Sequence, residues 1–171
     1  MFPNIFMKVS ELIALVLCGG ESRRMGRDKG LMLKDGMPWA QYIGQRLASY
    51  GRVFYSIHPR QREAYAAVLP ADRLIVDSLD IPGPLNGLLS AHVVMPESDI
   101  LLVACDMLDM DPATLDRLVS AWQGVKPIFM LMAMSGCGSH LVVSIPLVDS
   151  GRLPDIPACN RFYGLAGRRG C

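Results

Sequence analysis

The sequence predicts an α/β protein, a three-layer, mostly parallel sheet with helices on both faces. Three observations carry this. The strand-like segments are almost wholly apolar, they alternate with amphipathic helical segments, and glycine or proline stands at most of the junctions. A strand apolar on both sides needs cover on both faces, and a parallel sheet with crossover helices provides it.

The elements follow in order. "ELIALVLC" (11–18) reads as a buried strand stopped by glycines. "PWAQYIGQRLASYG" opens on Pro38 and stops at Gly51, as a helix does. "RVFYSI" (52–57) is a second strand, and "RQREAYAAVL" a short helix closed by Pro70. "RLIVD" (73–77) is a third strand, followed by a helix opening on Gly83–Pro84 and ended by Pro96. "DILLVAC" (99–105) is a buried strand. Asp111–Pro112 then offers an N-cap and an N1 proline for the next helix. "KPIFMLM" (126–132) is a further strand.

Composition narrows the function. The chain has 171 residues, 51% of them apolar, enough for the core of a single domain. Its net charge of +1 gives no field that would draw it to nucleic acid or anionic lipid. The five cysteines form no CxxC pair, and the three histidines are scattered, so no His/Cys metal site is expected. No apolar run reaches the length of a membrane helix. The N-terminal "LVLCGG" has the look of a lipoprotein signal, but Glu11 abuts a very short run and structured-looking sequence follows at once. The expectation is a cytoplasmic protein without nucleic-acid or membrane partners.

Ligands of such sheets bind beyond the carboxyl ends of the strands. The stretch "LCGGESRRMGRDK" (17–29) leaves the first strand there. Gly19 and Gly20 let backbone N–H groups approach an anion, and Arg23, Arg24, Arg27 and Lys29 supply charge. Crowded cations repel one another unless an anion neutralises them, which favours phosphate over a merely solvated turn. The spacing is neither G-x-G-x-x-G nor G-x-x-x-x-G-K-[ST]. Asp106 directly follows "ILLVAC", where a carboxylate suits Mg²⁺, an ion that keeps waters and bridges phosphate oxygens. Asp109 and Asp111 lie near, with capping the preferred role for Asp111. Asp77 ends the third strand and is equally readable as a nucleotide contact or a turn residue; Ser56, ending the second, is a weaker candidate. A phosphate loop facing a metal carboxylate implies transfer on a nucleoside triphosphate, in which positioning and charge stabilisation carry the chemistry.

With these residues in view, the stretch resembles the L-x-G-G-x-S-x-R-M-G-x-D-K signature of the molybdenum cofactor guanylyltransferases, the MobA type. "SIHPRQREAY", "DSLDIPGPLNGLLSA" and "LLVACDM" follow in family order, so the likeness covers about residues 10–133. The resemblance implies a Rossmann-like nucleotidyltransferase fold and transfer of GMP from GTP to molybdenum-molybdopterin. In the reaction that the resemblance implies, the terminal phosphate of molybdopterin would attack the α-phosphate of GTP, and pyrophosphate would leave with Mg²⁺. It implies that Leu17, Cys18 and Gly19 line guanine and ribose, and that Gly20, Arg24 and Lys29 hold the triphosphate. Ser56 and Asp77 would contact the nucleotide, and Asp106 would bind GTP and the metal. Arg24, Lys29 and Asp106 would be the catalytic set, and Gly83, Pro84 and Gly87 would shape the acceptor side. Implied partners are GTP, the molybdopterin cofactor, and proteins of cofactor biosynthesis or molybdoenzyme maturation.

Cys18 stands where the family usually has alanine, and Leu108 where proline is frequent. The larger departure is the tail, which shows no clear helix and no Q-P-L-x-x-I-Y-like segment. Residues 1–133 are therefore expected to form the nucleotidyltransferase domain. Residues 134–171 are expected to be an atypical tail, either disordered or translated out of frame, because back-translation and a frame shift can restore the missing segment. Two further readings stand beside the guanylyltransferase: an inactive nucleotide-binding remnant, and the related cytidylyltransferase.

Overall fold

The computed structural model describes residues 11–19, 28–121, 128–133 and 140–145. A six-stranded sheet forms from β1 (Leu12–Leu17), β4 (Arg52–Ile57), β5 (Leu74–Val76), β6 (Asp99–Ala104), β7 (Ile128–Ala133) and β8 (His140–Ile145). A small antiparallel ribbon, β2 (Leu33–Lys34) and β3 (Met37–Pro38), stands apart. The main order is β5-β4-β1-β6-β7-β8, parallel throughout except for the antiparallel pair β7 and β8 at the edge. The chain runs from β1 outward to β4 and β5, then crosses back to β6 on the other side of β1. That reversal opens a crevice beyond the carboxyl end of β1, where ligands of open α/β sheets bind.

The alternation of β1 builds both faces of the core. Ala14 and Val16, with Cys18 just beyond the strand, pack with Ile43 and Leu47 of α1 (Trp39–Leu47), Tyr65 of α2 (Arg62–Ala66) and Leu115 of α4 (Pro112–Ala121). Ile13, Leu15 and Leu17 point the other way, onto Leu88 and Ala91 of α3 (Pro84–Val94). Ile13, Leu15 and Val16 are fully buried. The two-sided burial inferred from the apolar strands is thus observed.

The helices are shorter than their punctuation suggests. α1 ends at Leu47, with the turn to Gly51 leading into β4. Pro38 belongs to β3 and precedes the first helical residue. Single 3₁₀ turns stand at Lys29–Leu31, Pro59–Gln61 and Ala71–Arg73. At Asp111 the carboxylate accepts from the Ala113 N–H at 3.1 Å and the carbonyl from Thr114, so its expected capping role is observed. The ribbon turns on Asp35 (φ 53°) and Gly36 (φ 79°), the pair of positive φ values that a two-residue hairpin of type I′ requires.

Candidate functional site

Register places the site. Leu17 pairs with Ser56 on one side and with Ala104 on the other. The residues that follow, Cys18–Gly19, His58 and Cys105–Asp106, therefore leave three adjacent strands along one edge. Ile57 pairs with Val76, which brings Asp77 to the same row.

At one end of the row, Lys29 Nζ lies 3.0 Å from Asp106 Oδ2. Both side chains are part-exposed, 36% and 25%, so the pair is open to an incoming ligand. Asp109 is fully exposed and lies 3.9 Å from Lys34. Among the described residues, no three His, Cys, Asp or Glu side chains cluster as a metal site.

At the other end, Ser56, 1% exposed, donates its hydroxyl to Asp77 Oδ1 at 2.7 Å. Burial pushes the Asp77 carboxyl above its ordinary value, while the Ser56 hydrogen bond and the nearby His58 pull it back. Two glycines make room for this pair. A Cβ on Gly19 would collide with Asp77 Oδ2, and one on Gly87 would collide with Ser56 Oγ and lie 2.8 Å from Leu17 Cδ2. The loop behind Asp77 is fastened to α3: Ser90 Oγ accepts from the Ser78 N–H, and Asn86 both accepts from the Leu79 N–H and donates to its carbonyl.

Residues 17–19 reach the row with their backbone already paired. The Cys18 and Gly19 N–H groups both donate to the Ser56 carbonyl, at 2.8 and 3.0 Å. The Leu17 carbonyl accepts from Cys105 and the Cys18 carbonyl from Gln61 Nε2. The Gly19 amide was expected to face an anion; here it is spent on β4, and the missing side chain serves Asp77 instead. Cys18 turns its thiol into the core, where burial first and the neighbouring Cys105 second raise its pKa well above the ordinary thiol value.

Of the other expected residues, Gly20, Arg23, Arg24 and Arg27 lie outside the described residues. Gly83 (φ 82°) and Pro84 are exposed at the start of α3, whereas Gly87 lies on the buried side of that helix, against Ser56 and Leu17. Sequence reasoning assigned nothing to Asp28, Gln61, Asn86 or Ser90. All four fall inside the quoted motifs, but what Asp28 does depends on Tyr65 and Gln61, 37 and 33 residues away, and no local pattern shows those contacts.

A mostly parallel sheet whose strand order reverses beside β1, with a lysine–carboxylate pair and a buried serine–aspartate pair along its carboxyl edge, is a Rossmann-like fold with polar groups gathered where such folds bind ligands. Residues 14–168 match the family described as the MobA-like NTP transferase domain, and the chain belongs to that family. It is 38% identical over 112 residues to a molybdenum cofactor biosynthesis bifunctional protein of Synechocystis, covering 64% of this chain and 31% of that one. A molybdenum cofactor guanylyltransferase of Pseudomonas paraeruginosa is 38% identical over 109 residues, 63% of this chain and 54% of that protein. A probable molybdenum cofactor guanylyltransferase of Nostoc is 31% identical over 160 residues, 94% of this chain and 75% of that protein. Against the first of these relatives the chain spans about half of their length or less. The crystal structure of Rv0371c from Mycobacterium tuberculosis superposes with a TM-score of 0.55 at 20% identity, covering 67% of this chain and 62% of that one; it supports the fold. Among the described residues, no helix is long and apolar enough to cross a membrane.

Proposed function

We propose that this chain transfers GMP from GTP to the terminal phosphate of molybdopterin, releasing pyrophosphate, as a guanylyltransferase of molybdenum cofactor biosynthesis. The observation that carries the proposal is the Lys29–Asp106 pair, which sets a cation and a carboxylate 3.0 Å apart at the edge of the sheet. The names of the curated relatives support the choice of GTP and the cofactor.

In this reading the Lys29 ammonium turns from Asp106 to the triphosphate and neutralises charge as the α-phosphorus is attacked. Arg24, five residues earlier in the sequence, is assigned an assisting role. Gly20 and the segment Leu17–Gly19 border the nucleotide, with Ser56 and Asp77 facing base or ribose. Gly83 and Pro84 border the acceptor, and Gly87 supports them from below. Asp106 is a part-exposed carboxylate with one oxygen on a displaceable ammonium, which fits a hard cation held by one carboxylate and phosphate oxygens. Asp106 would hold the Mg²⁺, whose charge would help neutralise the pyrophosphate leaving group. We assign this chemistry to a cytoplasmic protein working beside the other enzymes of cofactor biosynthesis and molybdoenzyme maturation.

The test is calorimetric titration of GTP with and without Mg²⁺, on the wild type and on Asp106→Ala. The wild type gains affinity on adding Mg²⁺ and the variant does not. Equal GTP affinity with and without Mg²⁺ in the wild type, or preference for CTP, overturns the proposal. Binding without single-turnover transfer to molybdopterin identifies an inactive remnant.

The division after Ala133 is a proposal about the reading frame of residues 134–171. The family match itself continues to residue 168. Sequencing the encoding DNA and comparing its alternative frame with the relatives decides the point.

A further inference from the structure

Asp28 precedes Lys29, and its carboxylate accepts from three donors in different parts of the fold. Oδ1 accepts from the Gly30 N–H at 3.0 Å and from the Tyr65 hydroxyl at 2.7 Å. Oδ2 accepts from Gln61 Nε2 at 2.5 Å. Tyr65 is fully buried in α2, and burial raises its pKa, so the phenol stays protonated and donates. Gly30 has no side chain where one would strike the Tyr65 hydroxyl. Gln61 is fixed in turn, its Oε1 accepting from the His58 N–H at 2.7 Å and its Nε2 also reaching the Cys18 carbonyl at 3.2 Å. Asp28 thus clamps the 3₁₀ turn carrying Lys29 to α2 and to the ends of β1 and β4.

We propose that Asp28 is the positioning residue for Lys29: by anchoring this turn to Tyr65 and Gln61 it holds the lysine ammonium at Asp106. The consequence for GTP rests on the function proposed above; the positioning of the free ammonium does not. A lysine on an unanchored turn would have to be ordered by the ligand itself, at a cost in affinity. Asp28 touches no reacting atom in this scheme and acts through its neighbour.

The polarity of the clamp supplies a selective test. Asp28→Asn keeps an oxygen for Gly30 and Tyr65 but turns an amide N–H toward Gln61 Nε2, donor against donor. Gln61 cannot flip without losing His58. The double variant Asp28→Asn/Gln61→Glu restores the donor–acceptor contact at position 28 and keeps the His58 N–H bond, but gives up the donation to the Cys18 carbonyl, so its rescue is partial.

Competitive acetylation of the nucleotide-free protein, read by mass spectrometry, reports how firmly the Lys29 amine is held. Labelling of Lys29 relative to Lys34 should rise by about threefold or more in Asp28→Asn, the scale of one lost hydrogen bond. It should return toward wild type in the double variant. Tyr65→Phe and Gln61→Ala should each produce a smaller rise, and they decide the matter should Asp28→Asn fail to fold. Unchanged Lys29 labelling in the folded variants overturns the proposal.

A GTP-binding cycle gives the second readout. Asp28→Asn should weaken GTP binding about tenfold in the wild-type background and by less than about twofold on top of Lys29→Ala, since one residue acts through the other. An equal loss in both backgrounds overturns the positioning role. Absence of GTP binding by the wild type refutes the proposed function instead, and leaves the labelling result to judge Asp28.

Discussion

Lys29 and Asp106, 77 residues apart in sequence, meet at 3.0 Å where the chain after β1 returns to the end of β6. An ion pair so open to water contributes little to folding, about 0–1 kcal/mol, because solvent screens it and side-chain entropy opposes it. Its placement is better explained by ligand binding than by stability.

Lys29→Met should therefore leave the free energy of unfolding within about 1 kcal/mol of wild type. The same substitution should weaken GTP binding about tenfold or more, a charge-assisted contact being worth about 1.5–3 kcal/mol. Urea denaturation and calorimetry on one preparation test both halves; a large stability loss would make the pair structural.

Gly87→Ala should destabilise the protein by up to about 2 kcal/mol. Alanine gains about 1 kcal/mol of helix propensity over glycine. Here, however, its methyl collides with Ser56 and lies 2.8 Å from Leu17, both buried, and overpacking of this kind costs about 1–3 kcal/mol. A urea midpoint at or above the wild-type value would show that α3 lifts away freely.

Asp77 predicts a pH dependence of known sign. Its folded pKa is raised by burial, so the folded state binds the proton more tightly than the unfolded chain. That contribution is complete below the ordinary aspartate pKa and is lost as pH rises through the folded value. Relative to Asp77→Asn, the wild type should lose stability as pH rises through that window and hold a constant offset above it. Urea unfolding of both proteins from pH 3 to pH 7 measures the difference; an offset that does not change with pH would contradict the burial argument.

Asp111→Ala should cost about 1 kcal/mol, the usual price of an N-cap, because the Ala113 N–H loses its acceptor. GTP binding should stay unchanged, since Asp111 caps α4 and belongs to no part of the proposed site. Thermal unfolding with a parallel GTP titration checks both.

The sequence by itself determined the strand–helix alternation, the two-faced burial of β1 and β6, and the cap at Asp111–Pro112, because periodicity and punctuation are local properties of the chain. It also marked Asp106, a charged residue following an apolar strand at the sheet edge, and Lys29, the last cation of the glycine-rich stretch that leaves β1. The β2–β3 ribbon is equally legible, since Asp35–Gly36 is a strong local hairpin signal. Only the tertiary structure decided why Gly19 and Gly87 lack side chains, that Ser56 and Asp77 form one buried pair, and that Asp28 is held by Tyr65 and Gln61. Each of these depends on which strand lies beside β1 and in what register, and that is settled when the whole sheet packs, through contacts no local window of sequence contains.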